Sequence, residues 1–201
     1  MRSSLRLLGY GMPLAVLVLW GGMARADDVV VPHQDLMKTL SAVATPGAEH
    51  AKLQPLVGSW TYTCKFWLEP NAKPMESKGT IERRFVLGGR FLEEIVRGTN
   101  FDGTPGFEGL GLLGYDIPQR KYTLTWLSSM GTGTSTGLGV VDSSGTLFTF
   151  QTEGYCPIQK QIVKGRDEVR IENPDRIVME SYLIENGKER KVLELVALRK
   201  K

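Results

Sequence analysis

Residues 107–126 read FEGLGLLGYDIPQRKYTLTW, and Gly109, Gly111 and Gly114 set out the pattern G-x-G-x-x-G. In a dinucleotide fold such glycines join a strand to a helix, whose N-terminus then faces the pyrophosphate. Here Gly114 is followed by Tyr-Asp-Ile-Pro and then by the alternating run Tyr122-Thr-Leu-Thr-Trp126. No helix starts there and no crossover follows, so the βαβ setting that gives the fingerprint its meaning is missing. The remaining reading is structural. Glycines inside or beside a strand mark a bend or a close backbone approach, and closing a barrel demands strongly bent strands.

Working outward, the same hairpin grammar runs through the chain after Gly58. Turn signals recur roughly every ten residues between alternating segments. Trp60, Tyr62, Cys64, Phe66 and Leu68 share one parity. Further strands are expected over 80–87, 90–97, 107–115, 121–127, 134–141, 147–152, 159–163 (with an extension towards Arg170), 176–184 and 190–199. Gly88-Gly89 and Asn186-Gly187 supply tight hairpin turns. About ten short strands joined mostly by hairpins, with no long helix after residue 56, predict an all-β, up-and-down antiparallel barrel. Closure also removes the exposed sheet edges. Upstream, residues 35–43 suit a short amphipathic helix with Leu36, Leu40 and Val43 on one face. Thr45 as N-cap and Pro46 in the first turn predict a second helix, with Ala48, Ala51 and Leu53 packed inward. These helices are expected to cover one end of the barrel.

The first 26 residues read as a secretory signal peptide. Arg2 and Arg6 precede an apolar run from Leu7 to Met23, and Ala24-Arg25-Ala26 is a small-x-small cleavage site. Export to a periplasmic or extracellular compartment follows, with no stable membrane span after cleavage. The leader takes three arginines from the 25 basic residues, leaving 22 against 22 acidic ones. A net charge near zero gives no electrostatic basis for binding nucleic acid. Residues 27–49 form a lead-in segment with a short helix, and residues 50–201 a single barrel domain.

An oxidising compartment permits a disulfide between Cys64 and Cys156 if their Cα atoms approach closely. Two cysteines and two histidines do not suggest a zinc site, because His33 and His50 both lie upstream of the strands.

Leu56-Val57-Gly58-Ser59-Trp60 resembles the Gly-x-Trp start of calycin barrels, the lipocalin and fatty-acid-binding-protein superfamily, and Ala197-Leu198-Arg199 resembles its closing arginine. The resemblance implies that Arg199 packs over Trp60 and closes one barrel end, a pairing that cation–π attraction explains. A closer resemblance, over about residues 50–200, is to the bacterial family known as domain of unknown function 1579. It rests on Leu53…Leu56-Val57-Gly58-x-Trp60, Val86-Leu-Gly-Gly-Arg-Phe-Leu92, Phe107-x-Gly109-x-Gly111…Gly114-Tyr115-Asp116, Lys121-Tyr122…Thr125-Trp126 and Ser129-Met-Gly-Thr132. That family implies a calycin-like barrel and carries no assigned activity. The chain departs from it at Ser128, where the family has an aspartate two residues after the second tryptophan.

No nucleophile–base pair stands out. Ser128, Ser129 and Ser135 have no histidine base among the strands, and a haem site would need an axial ligand that the strands do not offer. No metal or cofactor is expected. The main signal is a set of candidate inward positions: Trp60, Tyr62, Phe66, Phe85, Phe91, Tyr115, Tyr122, Trp126, Phe148 and Phe150. They suit equally a filled core and an apolar ligand cavity. Tyr62, Tyr115, Tyr122 and Thr125 are candidate polar anchors. Arg83 and Glu93 are charged candidates for the cavity, although pairs 83/94 or 84/93 across the Gly88-Gly89 hairpin suit surface ion pairs as well. A buried Arg83 would call for an anionic partner group. The leading expectation is a carrier or sensor of a small apolar or amphipathic molecule held inside the barrel. A metal-independent isomerase or hydrolase using Glu93, Asp116 or tyrosines is the enzymatic alternative. A cell-envelope structural or interaction module is the third.

Overall fold

Ten antiparallel strands, each hydrogen-bonded to its sequence neighbour, close into a barrel when the first pairs with the last. A computed structural model describes residues 32–157 and 159–201; the proposed signal peptide lies outside them. The strands are β1 (Gly58–Phe66), β2 (Met75–Val86), β3 (Phe91–Thr99), β4 (Pro105–Asp116), β5 (Lys121–Ser128), β6 (Ser135–Val141), β7 (Leu147–Cys156), β8 (Gln161–Asn173), β9 (Arg176–Glu185) and β10 (Lys188–Arg199). Each expected strand is present. Most are longer than expected, β8 above all, because its glycine and charged residues dilute an alternation that continues through the strand.

The chain divides after Ala44 into two units. The described part of the first is α1 (His33–Ala44), an amphipathic helix that exposes Met37, Leu40 and Val43 and buries none of its residues. The second unit, Thr45–Lys201, contains the barrel and two short lead-in elements, α2 (Ala48–Ala51) and a 3-10 turn at Gln54–Leu56. The N-cap of α2 is Gly47 rather than Thr45. The third helical residue, His50, reaches back, and its imidazole Nδ1 accepts the N-cap Gly47 N–H at 3.2 Å. The later start turns Ala48 and Ala51 to solvent, while Leu53 and Leu56 are buried. Among the described residues no helix is long and apolar enough to cross a membrane.

Those lead-in elements seal one end. Trp60 Nε1 donates to the Leu56 carbonyl at 3.1 Å. The Arg199 guanidinium lies 4.1 Å from the Trp60 ring centroid and donates to the carbonyls of Val57 (2.9 Å) and Pro55 (3.1 Å). Gly58 makes this approach possible. Its φ is +126°, and a Cβ there would stand 2.6 Å from Arg199 Nη1. On the far side of the same end, the Tyr122 hydroxyl donates to the Glu49 carbonyl at 2.9 Å, and the His50 and Tyr115 rings meet edge-on.

Gly109 answers the question raised by its motif. It faces the barrel interior, and a Cβ there would lie 2.3 Å from the Trp126 ring, so the missing side chain is the space the indole occupies. Gly114 faces outward and is covered by Phe91 in the same way.

Candidate functional site: the barrel interior

Side chains on a strand alternate between faces, so the register assigns every position to the inside or the outside. Starting from buried Trp60, the inward partners run through Ile81 and Val96, and around the rest of the barrel back to Ala197. Near the sealed end the inward side chains fill the space: Trp60, Ile81, Leu92, Tyr122, Phe148, Ile177 and Ala197 are buried. Beyond it the pattern changes. Leu124, Trp126, Thr152, Asp167, Met179, Ser181, Leu193 and Leu195 also face inward by register, yet each remains partly exposed. Several of them, Met179, Asp167 and Leu195 among them, lie within their strands rather than at a rim. These partly exposed inward residues lie towards the end opposite α2, where Phe66 stacks on Phe101 at 5.1 Å and Met75 and Phe107 are also partly exposed. The interior is filled near the seal, and its inward side chains are partly exposed to solvent beyond it.

Of the expected inward set, Trp60, Tyr62, Phe66, Arg83, Phe85, Tyr115, Tyr122, Trp126, Phe148 and Phe150 are on inward positions. Three expectations require correction. Phe91 and Glu93 share the parity of Ile95, and Thr125 that of Leu127, so all three face out; the inward residues of β3 are Leu92, Glu94 and Val96. Glu93 accepts from Arg84 Nε at 2.7 Å on the outer wall, where Arg84 is 72% exposed. Asp116 serves a turn, accepting the Gln119 N–H at 3.0 Å. Cys64 and Cys156 are both free thiols.

The polar groups inside are few and specific. Arg83 Nε donates to Glu94 Oε2, with the side chains 6% and 14% exposed. Glu94 supplies the countercharge that a buried Arg83 needs, while the Arg83 Nη1 is buried without a hydrogen-bond partner. The Tyr62 and Ser77 hydroxyls lie 3.1 Å apart, and Ser77 donates onward to the Thr99 carbonyl at 2.6 Å. Burial raises the Tyr62 hydroxyl above its usual range and pushes the Cys64 thiol up to about 12.

Asp167, which the sequence reading passed over, stands in the ladder between Phe150 on β7 and Ser181 on β9. Solvent reaches part of it, but protein surrounds it deeply enough that desolvation pushes its carboxyl up to about 6. The Ser181 hydroxyl and the charge of Arg166 act the other way and only limit the rise. The signal for Asp167 was the inward parity Val163, Gly165, Asp167, Val169, Ile171, which is too weakly apolar to stand out. Among the described residues no group of three or more His, Cys, Asp or Glu side chains is placed to hold a metal ion.

Fold and interior together define a calycin-like barrel: ten strands closed on themselves, sealed at one end by a tryptophan–arginine stack, with inward side chains that solvent partly reaches beyond the seal. The chain belongs to the family described as "Protein of unknown function (DUF1579)", which matches residues 45–199. Among solved structures it is similar to Rv2717c from M. tuberculosis, with 20% identity, a TM-score of 0.59, and coverage of 78% of this chain and 100% of that one. It is also similar to the S-type phycobiliprotein lyase CPES from Guillardia theta, with 14% identity, a TM-score of 0.51, and coverage of 78% and 99%. No protein of curated function matches the chain.

Proposed function

We propose that the protein is an exported carrier or sensor that holds a small apolar or amphipathic molecule in the accessible half of its barrel, without covalent chemistry. The observation that carries this reading is the set of inward yet partly exposed side chains, Leu124, Trp126, Met179, Leu193 and Leu195. A mostly apolar concavity with a few placed polar groups is the usual form of a small-molecule site. Export rests on the leader sequence alone. Asp167 favours one second reading: a carboxyl lifted towards neutrality beside a cavity suits general acid–base catalysis, which would make the barrel a metal-independent isomerase or hydrolase.

The test is binding of the neutral dye Nile red, followed by its emission and by quenching of Trp126. Native mass spectrometry of the freshly purified protein would identify any molecule carried from the cell. Saturable binding that is lost on Leu195→Trp, which fills the cavity, supports the carrier. Failure of the wild-type barrel to bind the dye, with Trp126 emission unmoved, refutes it. Conversion of a co-purifying molecule into a product by the wild-type protein, but not by Asp167→Asn, would favour the enzyme.

A further inference from the structure

The described inward-facing charged residues nearest the middle of the barrel are Arg83, Glu94, Asp167 and, one inward row beyond Asp167 towards the open end, Arg190, which donates to Glu185 at 3.4 Å and to the Trp67 carbonyl at 3.3 Å. Arg83 and Glu94 neutralise each other. Asp167 has no such partner. On β7 its neighbour is Phe150, and Thr152 follows on the same face; on β9 it is Ser181, flanked by Met179. On β8 itself the adjoining inward positions are Gly165 and Val169. The titratable groups close by in sequence point outward. Arg166 stacks on the Tyr182 ring at 4.2 Å, donates to Glu189 at 2.8 Å and pairs with Glu168 on the outer wall. Glu180 is held there too, by Lys191. Asp167 is therefore an inward negative group with no ion-pair partner among the described residues; the Ser181 hydroxyl is its hydrogen-bond partner, and the charge of Arg166 offsets it only in part.

We propose that Asp167 and Ser181 receive the head of an amphipathic amine, whose apolar body lies along Met179, Leu195 and Trp126. This deepens the carrier reading and rests on it. A protonated amine supplies the missing positive charge and a charge-assisted hydrogen bond, while the apolar wall takes the chain. A carboxylate would meet Asp167 as a like charge, and an alcohol would bring a hydrogen bond but no charge.

The test uses the full-length mature protein at pH 7.5 and three probes of one chain length, decylamine, decanol and decanoate, each displacing Nile red. Decylamine is expected to bind at least tenfold tighter than decanol, and decanoate more weakly than either. In Asp167→Asn the amine should fall to the level of the alcohol, with decanol affinity unchanged. The wild-type order is the first arm of the test, and its loss in Asp167→Asn is the second. Equal binding of amine and alcohol, or tighter binding of decanoate, overturns the inference while the cavity stands. An amine preference that survives Asp167→Asn also overturns it. Failure of all three probes and of the dye overturns both the inference and the carrier reading.

Discussion

Replacing Asp167 by Asn should stabilise the empty barrel, and by an amount that depends on pH in a defined direction. In the folded chain the Asp167 carboxyl is pushed from an ordinary 3.8 to about 6. Because its folded value is raised, the group costs nothing below about pH 4, where it is protonated whether the chain is folded or not. As pH rises from about 4 to about 6, the unfolded chain releases the proton first, so the folded state loses stability across that window. A displacement of this size corresponds to about 3 kcal/mol once pH exceeds about 7. Asn cannot ionise and escapes the penalty. Urea unfolding of both proteins at pH 4.5, 5.5, 6.5 and 8 measures the difference directly. At pH 4.5 the gap should be about a third of its full size, because the unfolded carboxyl is already mostly ionised there. By pH 8 the Asn variant should unfold at a midpoint about 1–2 M higher, taking a slope of about 2 kcal/mol/M for a domain of this size. Other carboxylates titrate equally in both proteins and cancel. A constant offset at all pH values, or a difference that shrinks as pH rises, would refute the assignment of a desolvated, unpaired carboxyl.

Two further outcomes follow from the two faces of the wall. Arg83→Met leaves Glu94 inside without its partner and should cost about 3 kcal/mol by urea unfolding, whereas Arg84→Met on the exposed outer pair should cost under about 1 kcal/mol; equal costs would contradict the assigned register. Cys64 is 5% exposed with its thiol pushed up to about 12, while Cys156 is partly exposed. Ellman's reagent at pH 8 should therefore titrate one thiol in the folded protein and two in urea.

The hairpins were legible because their turn chemistry is local. Asn186-Gly187 and Gly88-Gly89 adopt the left-handed backbone that such turns need, and the alternation on either side sets the strands. The parity of β3 was not legible. In Phe91-Leu-Glu-Glu-Ile-Val96 both faces are apolar around one glutamate, so alternation cannot choose between Glu93 and Glu94. The choice is made on the neighbouring strand: Gly114 offers its bare backbone on the outside, Phe91 covers it, and Glu94 is thereby turned in towards Arg83. The division of the interior into core and cavity was equally hidden. It depends on where Leu53 and Leu56 come to rest over one end, and α2 starts at Gly47 rather than at the better-looking Thr45.

The placing of the inner polar groups separates structural charge from recognition. Arg83 and Glu94 lie a few residues from the Leu87–Gly89 hairpin turn, on the sealed side, and each satisfies the other's charge. Removing both in favour of well-packed apolar residues would be close to neutral for the fold, since a buried pair returns little beyond its own desolvation. Asp167 lies at the middle of β8, past the buried Val169 on the side away from the seal, where space begins. Ser181 and Arg166 compensate it only in part, and at neutral pH the stability it withholds is available again when a positive group enters beside it. A ligand that supplied this charge would bind more tightly by what the empty barrel gives up, so the cost in stability and the selectivity for amines are two readings of one quantity. Asp167→Asn should therefore raise stability and lower amine affinity together.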